Sequence, residues 1–310
     1  MTIATDEPPF GLRMPSDLFC DDAECVVLEY ARRLAGWAGA KEFPRSMSAI
    51  AERLKHRVSS APLPVGLRGV RVAQPRPLIL TSDEETRAAQ ERTVAHEIFH
   101  PFVGVEHHEY TSTRGKVTPL QARAEMLCDI GAAELHMPVE EMQRQMRDAP
   151  AIRDVPRFAE YFGASLAATL RSMVAATPFP IAGVTFELRH KPTDRVPSAT
   201  GQQVLWGSPA DFDAPKRLRV HDWSVSQGIS VRFNHHQHVD EGTSIHSAYL
   251  SGAETSGWDD LTSIGLPAQR YRTESWPHRY KNTTRVLTLV WLDRTSDFAK
   301  EVGPSGARAP

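Results

Sequence analysis

"RTVAHEIFHPF", residues 92–102, sets a glutamate directly after the first of two histidines that lie four positions apart. An α-helix turns once every 3.6 residues, so His96 and His100 project from one face with their rings close enough to share a metal ion. A hydrolytic zinc site needs a third protein ligand and an open position for a water, whose pKa the metal lowers to about 7. Glu97 is placed to act on that water as general base and to pass the proton to a leaving amine.

The flanks extend this reading. A helix is predicted from about Glu84 to His100, capped by Ser82 or Asp83, with Pro101 ending it because proline lacks an amide hydrogen and clashes with the preceding turn. The polar loop "VEHHEYTSTRGKV" follows. It offers His107, His108 and Tyr110 as donors near the centre, with no role assigned to them. "PLQARAEMLCDIGAAELHMP" then reads as a helix with Pro119 in its first turn and Pro138 at its end. Thirteen histidines make a chance pair easy to find, so the third ligand decides the matter. Glu125, Cys128 and Asp129 share a face of this second helix. Either acid is a candidate ligand, and Asp129 is alternatively a group that orients a ligating histidine.

The chain has 310 residues, enough for two or three packed units, and 41% hydrophobic with 24% charged residues is the balance of a soluble globular protein. Its formal charge of -2 gives no global attraction to nucleic acid or anionic membrane, so any such affinity must be local. No secretory leader and no run of 18 apolar residues is visible, which predicts a cytoplasmic protein without membrane association. Cys20, Cys25 and Cys128 lack paired spacing and read as reduced thiols.

Helical periodicity marks "AECVVLEYARRLAGWAG" and "SMSAIAERLKHRV", the second placing Ile50, Leu54 and Val58 on one face. "GLRGVRV" and "PLILTS" read as short strands. "VPRFAEYFG" and "SLAATLRSMVAA" form a helical pair split at Gly163, with Ser165 as a cap. Beyond about residue 178 the texture becomes β-rich, with "GVTFEL", "RLRVHDW", "ISVRFN", "SIHSAYL" and "TRVLTLVWL" as candidate strands. The expected fold class is therefore α+β, with a mainly helical domain at 19–148, a helical element at 149–177, a β-rich domain at 178–294 and a disordered tail at 295–310.

"ERTVAHEIFH" followed by "EMLCDIGAAELHMP" resembles the ImmA/IrrE zinc metallopeptidases, including their IrrE branch and the related CapP proteases. The resemblance implies a zincin-like domain with a small sheet, zinc or manganese on His96, His100 and Glu125, Glu97 as general base, and Asp129 just outside the ligands. It further implies that "FAEYFGASLAATLRSM" is a helix-turn-helix-like element and that the β-rich remainder is a GAF-like sensor domain. The implied activity is endoproteolysis of a partner helix-turn-helix repressor after DNA damage or exposure to single-stranded DNA, derepressing stress or antiphage genes. Three positions depart from the family pattern: Phe99 where a small residue is common, Pro101 where aliphatics continue, and His136 in place of an aliphatic. The helix-turn-helix element has only Arg171 as a cation in its second helix, which favours packing over DNA reading.

Two further clusters stand out. "QRYRTESWPHRYKNTTR" mixes Arg270, Arg272, Arg279 and Lys281 with Trp276 and Tyr280, as a surface for single-stranded nucleic acid would, although an ordinary strand with solvated arginines has the same look. "NHHQHVD" holds His235, His236 and His238 and reads as a polar loop rather than a second metal site. A different class of function, a nucleic-acid- or ligand-binding regulator on a peptidase-like scaffold, is the alternative to proteolysis.

Overall fold

The computed structural model describes residues 12–64, 66–72, 77–104, 118–146, 148–191 and 216–292. The loop at 105–117, with His107, His108 and Tyr110, the start of the N-terminal segment and the tail at 295–310 lie outside the described residues. Two compact units are present: Met1–Gln145 with Pro156–Ser172, and Met146–Val155 with Met173–Pro310.

The first unit begins with α1 (Asp22–Trp37) and α2 (Met47–Arg53), followed by β1 (Arg57–Ala61), β2 (Gly69–Val72) and β3 (Leu78–Ser82). The strands form a small sheet in the order β1-β3-β2, β1 parallel and β2 antiparallel to β3. The predicted second helix was carried too far, since Lys55 takes a left-handed φ of 64° and Val58 belongs to β1. Helical spacing of Ile50, Leu54 and Val58 persisted across that break by coincidence.

Next come α3 (Arg87–Val103), α4 (Pro119–His136) and α5 (Val139–Gln145), then α6 (Asp154–Phe162) and α7 (Leu166–Ala176). Thr86, not Ser82 or Asp83, caps α3 by accepting from the Ala89 amide. The expected stop at Pro101 does not occur. α3 runs on to Val103 and ends at Gly104, whose left-handed φ of 77° lets its amide reach the His100 carbonyl at 3.0 Å. Tertiary packing outweighs the proline here, because Phe102 and Val103 are buried and the Phe102 ring stacks on Tyr30 with 3.8 Å between centroids. α4 starts as expected, with Pro119 in its first turn and a reciprocal capping box between Thr118 and Gln121. The break between α6 and α7 falls at Gly163, φ 64°, and Ser165 accepts from the Ala168 amide.

One core joins α1, α2, β3, α3 and α4 through Leu34, Met47, Ile79, Ile98, Phe99 and Leu127. Phe99, the bulky residue before the second histidine, has room because α4 presents Gly131 to it. A Cβ on Gly131 would lie 2.4 Å from the Phe99 ring. The sheet contacts α3 through β2 and β3, so the helix carrying the histidine pair rests on both the sheet and α4.

In the second unit, β4 (Ile181–Arg189), β5 (Arg217–Val225), β6 (Thr255–Asp260), β7 (Arg270–Tyr280) and β8 (Thr283–Trp291) form an antiparallel sheet ordered β5-β4-β8-β7-β6. Ala182, Val184 and Phe186 of β4 share a core with Ile245 and Ala248 of α8 (Ser244–Ser251). Two expected strands are corrected. "SIHSAYL" is α8, capped by Thr243, with Ile245 and Ala248 buried three apart on one helical face. "ISVRFN" lies in irregular chain after β5, where Phe233 fills the core without joining a ladder. His235 and His236 sit in a turn and His238 in an isolated bridge to Arg219, in keeping with a loop.

Candidate metal centre

His96, Glu97 and His100 occupy consecutive turns of α3, and Glu125, Cys128 and Asp129 the facing turns of α4, two helices in extensive contact. The ring centroids of His96 and His100 are 4.9 Å apart. Nε2 of His96 lies 3.1 Å from Glu125 Oε2, and Nε2 of His100 lies 4.0 Å from Glu125 Oε1. Both imidazoles thus turn the same nitrogen toward one carboxylate.

The outer ring nitrogens are occupied as well. Nδ1 of His96 is 3.2 Å from Asp129 Oδ1, and that carboxylate is also 3.4 Å from an Arg92 guanidinium nitrogen. Nδ1 of His100 is 3.7 Å from Cys128 Sγ. His96, His100 and Cys128 each offer a ligand atom within 4.8 Å of the others, and the Glu125 carboxylate lies beside the same two histidines. The sulfur faces Nδ1 of His100, whereas Glu125 faces Nε2 of both rings. Burial, reinforced by the charges of Glu125, Glu97 and Asp129, pushes the Cys128 thiol well above its usual range. Sequence spacing placed Cys128 on this face without showing that it abuts His100; only the distance between the helices reveals that.

Electrostatics follow from the same packing. Burial opposes a charge on His96, but hydrogen bonds to Asp129 and Glu125 overcome it and raise the imidazole to about 9. Glu97 is 3% exposed, and burial lifts its carboxyl to about 7; the charge of His96 and a hydrogen bond from the Arg71 backbone act in the opposite sense. The backbone contact ties Glu97 to β2, the edge strand of the small sheet. Access is one-sided: the side chains of His96 and Glu125 are 18% and 33% exposed, while that of His100 is 3% exposed.

The six residues of the expected nucleic-acid surface are divided between the two faces of β7 and the turn after it. Alternation along β7 puts Arg270, Arg272, Trp276 and Tyr280 on one face and Arg279 on the other, while Lys281 sits at the β7–β8 turn with φ 50°. Arg272 is engaged with Glu274 at 2.6 Å and lies over the Trp291 ring at 4.9 Å. Arg270 pairs across the ladder with Asp260, at the opposite end of the strand from Tyr280. The basic segment in the sequence is thus a strand whose cations are spread along its length.

No helix among the described residues is long and apolar enough to cross a membrane. No curated protein matches the chain. A Mycobacterium tuberculosis transcriptional regulator of known structure shares the fold, with a TM-score of 0.52 over 86% of this chain and 75% of that one, at 9% identity. Residues 51–173, which include both helices of the centre, match the peptidase family model described as an IrrE N-terminal-like domain, and this part of the chain is on that ground similar to the ImmA/IrrE family.

Proposed function

We propose that the chain is a zinc-dependent endopeptidase in which His96, His100 and Glu125 hold the metal and Glu97 is the general base. Its substrate is a partner helix-turn-helix repressor, cut in response to a stress signal such as DNA damage or single-stranded DNA. One observation carries the metal assignment: Nε2 of both histidines faces the Glu125 carboxylate while each Nδ1 is engaged from outside by Asp129 or Cys128. Two imidazole nitrogens and a carboxylate form a donor set suited to zinc, and to manganese as a substitute. When bound, zinc supplies Lewis acidity toward a water and the scissile carbonyl.

The chain's own groups do the rest. With a metal in place of the Nε2 proton, Asp129 would accept the Nδ1–H of His96 and so fix the tautomer that offers Nε2 to the ion. Cys128 sulfur takes the equivalent place for His100. Glu97, lifted to about 7, is poised to take a proton from water and return it to the leaving nitrogen near neutral pH. Substrate enters on the exposed side, at His96 and Glu125.

The repressor and the signal rest on the family resemblance. The deciding experiment incubates zinc-loaded protein with the repressor encoded beside it, with and without single-stranded DNA. Glu97→Gln should retain one zinc per chain and lose cleavage. Cleavage at the wild-type rate by that variant overturns the mechanism. Absence of bound zinc together with absence of cleavage would instead favour the regulatory scaffold.

A further inference from the structure

In the second unit, β4, β5 and β8 bring together a group of guanidiniums that the metal centre does not use. Strand register sets Glu187 between Arg219 of β5 and Arg285 of β8, and sets Arg189 beside Arg217 two residues along. Two-residue periodicity keeps all five side chains on one face of the sheet, opposite the core strip of Phe186 and Val220. Arg285 contacts the Glu187 carboxylate, which Nδ1 of His221 also approaches at 3.5 Å, while Arg217 is turned to Nε2 of His238 at 2.7 Å. Asp222 lies next to the bulge in β5, where one of its oxygens accepts from the Trp223 amide at 2.9 Å.

Arg189, Arg219 and Arg285 are held in place by hydrogen bonds, while Arg217 is exposed. Arg285 Nε donates to Glu187 at 2.9 Å, and its guanidinium lies 3.8 Å over the Tyr280 ring. Arg219, 6% exposed, donates to the carbonyls of Arg189 at 3.1 Å and His236 at 2.9 Å. Arg189 reaches Nδ1 of His221 at 3.2 Å and the Val220 carbonyl, while its Nε is buried with no acceptor among the described residues. The His236 carbonyl reaches Arg219 from a left-handed backbone, φ 67°, an uncommon conformation for a residue with a Cβ. Its Nδ1 is likewise buried without a partner among the described residues.

Like charges crowded at a half-buried place repel one another, and here the scaffold prevents their separation. The surrounding histidines register this field. Burial first and Arg285 second hold His221 and His278 below the ordinary imidazole range, and burial with Arg189 does the same for His236. Neutral imidazoles keep one N–H each to donate.

We propose that Arg189, Arg219, Arg285 and His221 form a binding site for the phosphate group of a compact ligand. Guanidinium forks match phosphate oxygens two at a time, and a multiply charged anion adds negative charge beside three guanidiniums that strand register holds close together. The recessed cations favour a compact ligand over a running strand of nucleic acid, which needs exposed cations and stacking rings along a groove. The site is independent of the peptidase reading, because its ligand is detected without any reference to cleavage.

The test titrates the full chain with pyrophosphate and with inorganic phosphate by calorimetry and phosphorus NMR at constant ionic strength, with chloride as reference. Saturable binding is expected. Arg189→Gln should weaken it about tenfold or more, the loss of a charged hydrogen-bonding group. Glu187→Gln should tighten it by removing the competing carboxylate, a gain that misfolding cannot mimic. Absence of saturable binding above the chloride background overturns the proposal, as does binding that both variants leave unchanged. Binding of a single-stranded oligonucleotide without binding of pyrophosphate overturns the compact-ligand assignment.

Discussion

Replacing Gly131 with alanine should loosen the helix pair that carries the candidate centre. The new methyl carbon would sit 2.4, 2.5 and 2.8 Å from Cε1, Cδ1 and Cζ of Phe99, distances at which something must move. The Phe99 ring has little freedom to yield: it is fully buried and packs edge-on against Tyr30, with centroids 5.7 Å apart. Overpacking by one methyl group costs about 1–3 kcal/mol. Alanine in a helix interior returns about 0.8–1 kcal/mol relative to glycine, so the net effect is a destabilisation of about 2 kcal/mol or less. A double-mutant cycle separates the two contributions. In a Phe99→Leu background the clash is relieved, so Gly131→Ala should change sign and stabilise by about 0.8 kcal/mol. Urea unfolding followed by circular dichroism measures all four variants. The reasoning fails if Gly131→Ala stabilises the wild-type background as much as the leucine background, because the ring would then exert no steric control.

Asp129→Ala should lower zinc affinity about 10–100-fold with the fold retained, read by competition with a chromogenic chelator; unchanged affinity would remove Asp129 from its orienting role. Pro101→Ala supplies an amide hydrogen opposite the Glu97 carbonyl at an exposed position and should stabilise by about 1–3 kcal/mol, and an unchanged melting temperature would count against that estimate. His136 is 2% exposed and burial pushes it down to about 4, against a hydrogen bond with the Phe162 backbone that pulls upward. The folded state therefore keeps it neutral, while the unfolded chain binds its proton near pH 6.5. Stability linked to His136 is complete above that value and is lost as pH falls toward 4, by about 3 kcal/mol in all. His136→Leu should flatten that part of the stability–pH curve, and equal slopes for the two proteins would refute the linkage.

What the sequence revealed of the centre was whatever lies within one helix. The spacing of His96, Glu97 and His100 is local, and so is the placement of Glu125 and Asp129 on one face of α4. Which side of each imidazole faces which partner depends on how α3 and α4 pack, so the contact between Cys128 and His100 could not be read from spacing. The errors in the fold have the same origin. Pro101 obeyed its local preference in the sequence reading and was overruled by the burial of Phe102 and Val103. Ser244–Ser251 is rich enough in apolar residues to resemble a strand, yet its Thr243 cap and buried pair three apart belong to a helix. The arginine group was invisible because Arg189, Arg219 and Arg285 are separated along the chain and meet only through strand register.

The extra turn of α3 beyond His100 bears on how long a metal ion would stay. A histidine in the last turn of a helix shares that turn's fraying, and each opening detaches one ligand. Here the stack of Phe102 on Tyr30 and the Gly104 amide on the His100 carbonyl clamp the chain on the far side of His100. Loss of His100 from a metal held as proposed would then require a cooperative opening of that aromatic clamp, and residence time there would be governed by a contact that touches neither metal nor substrate.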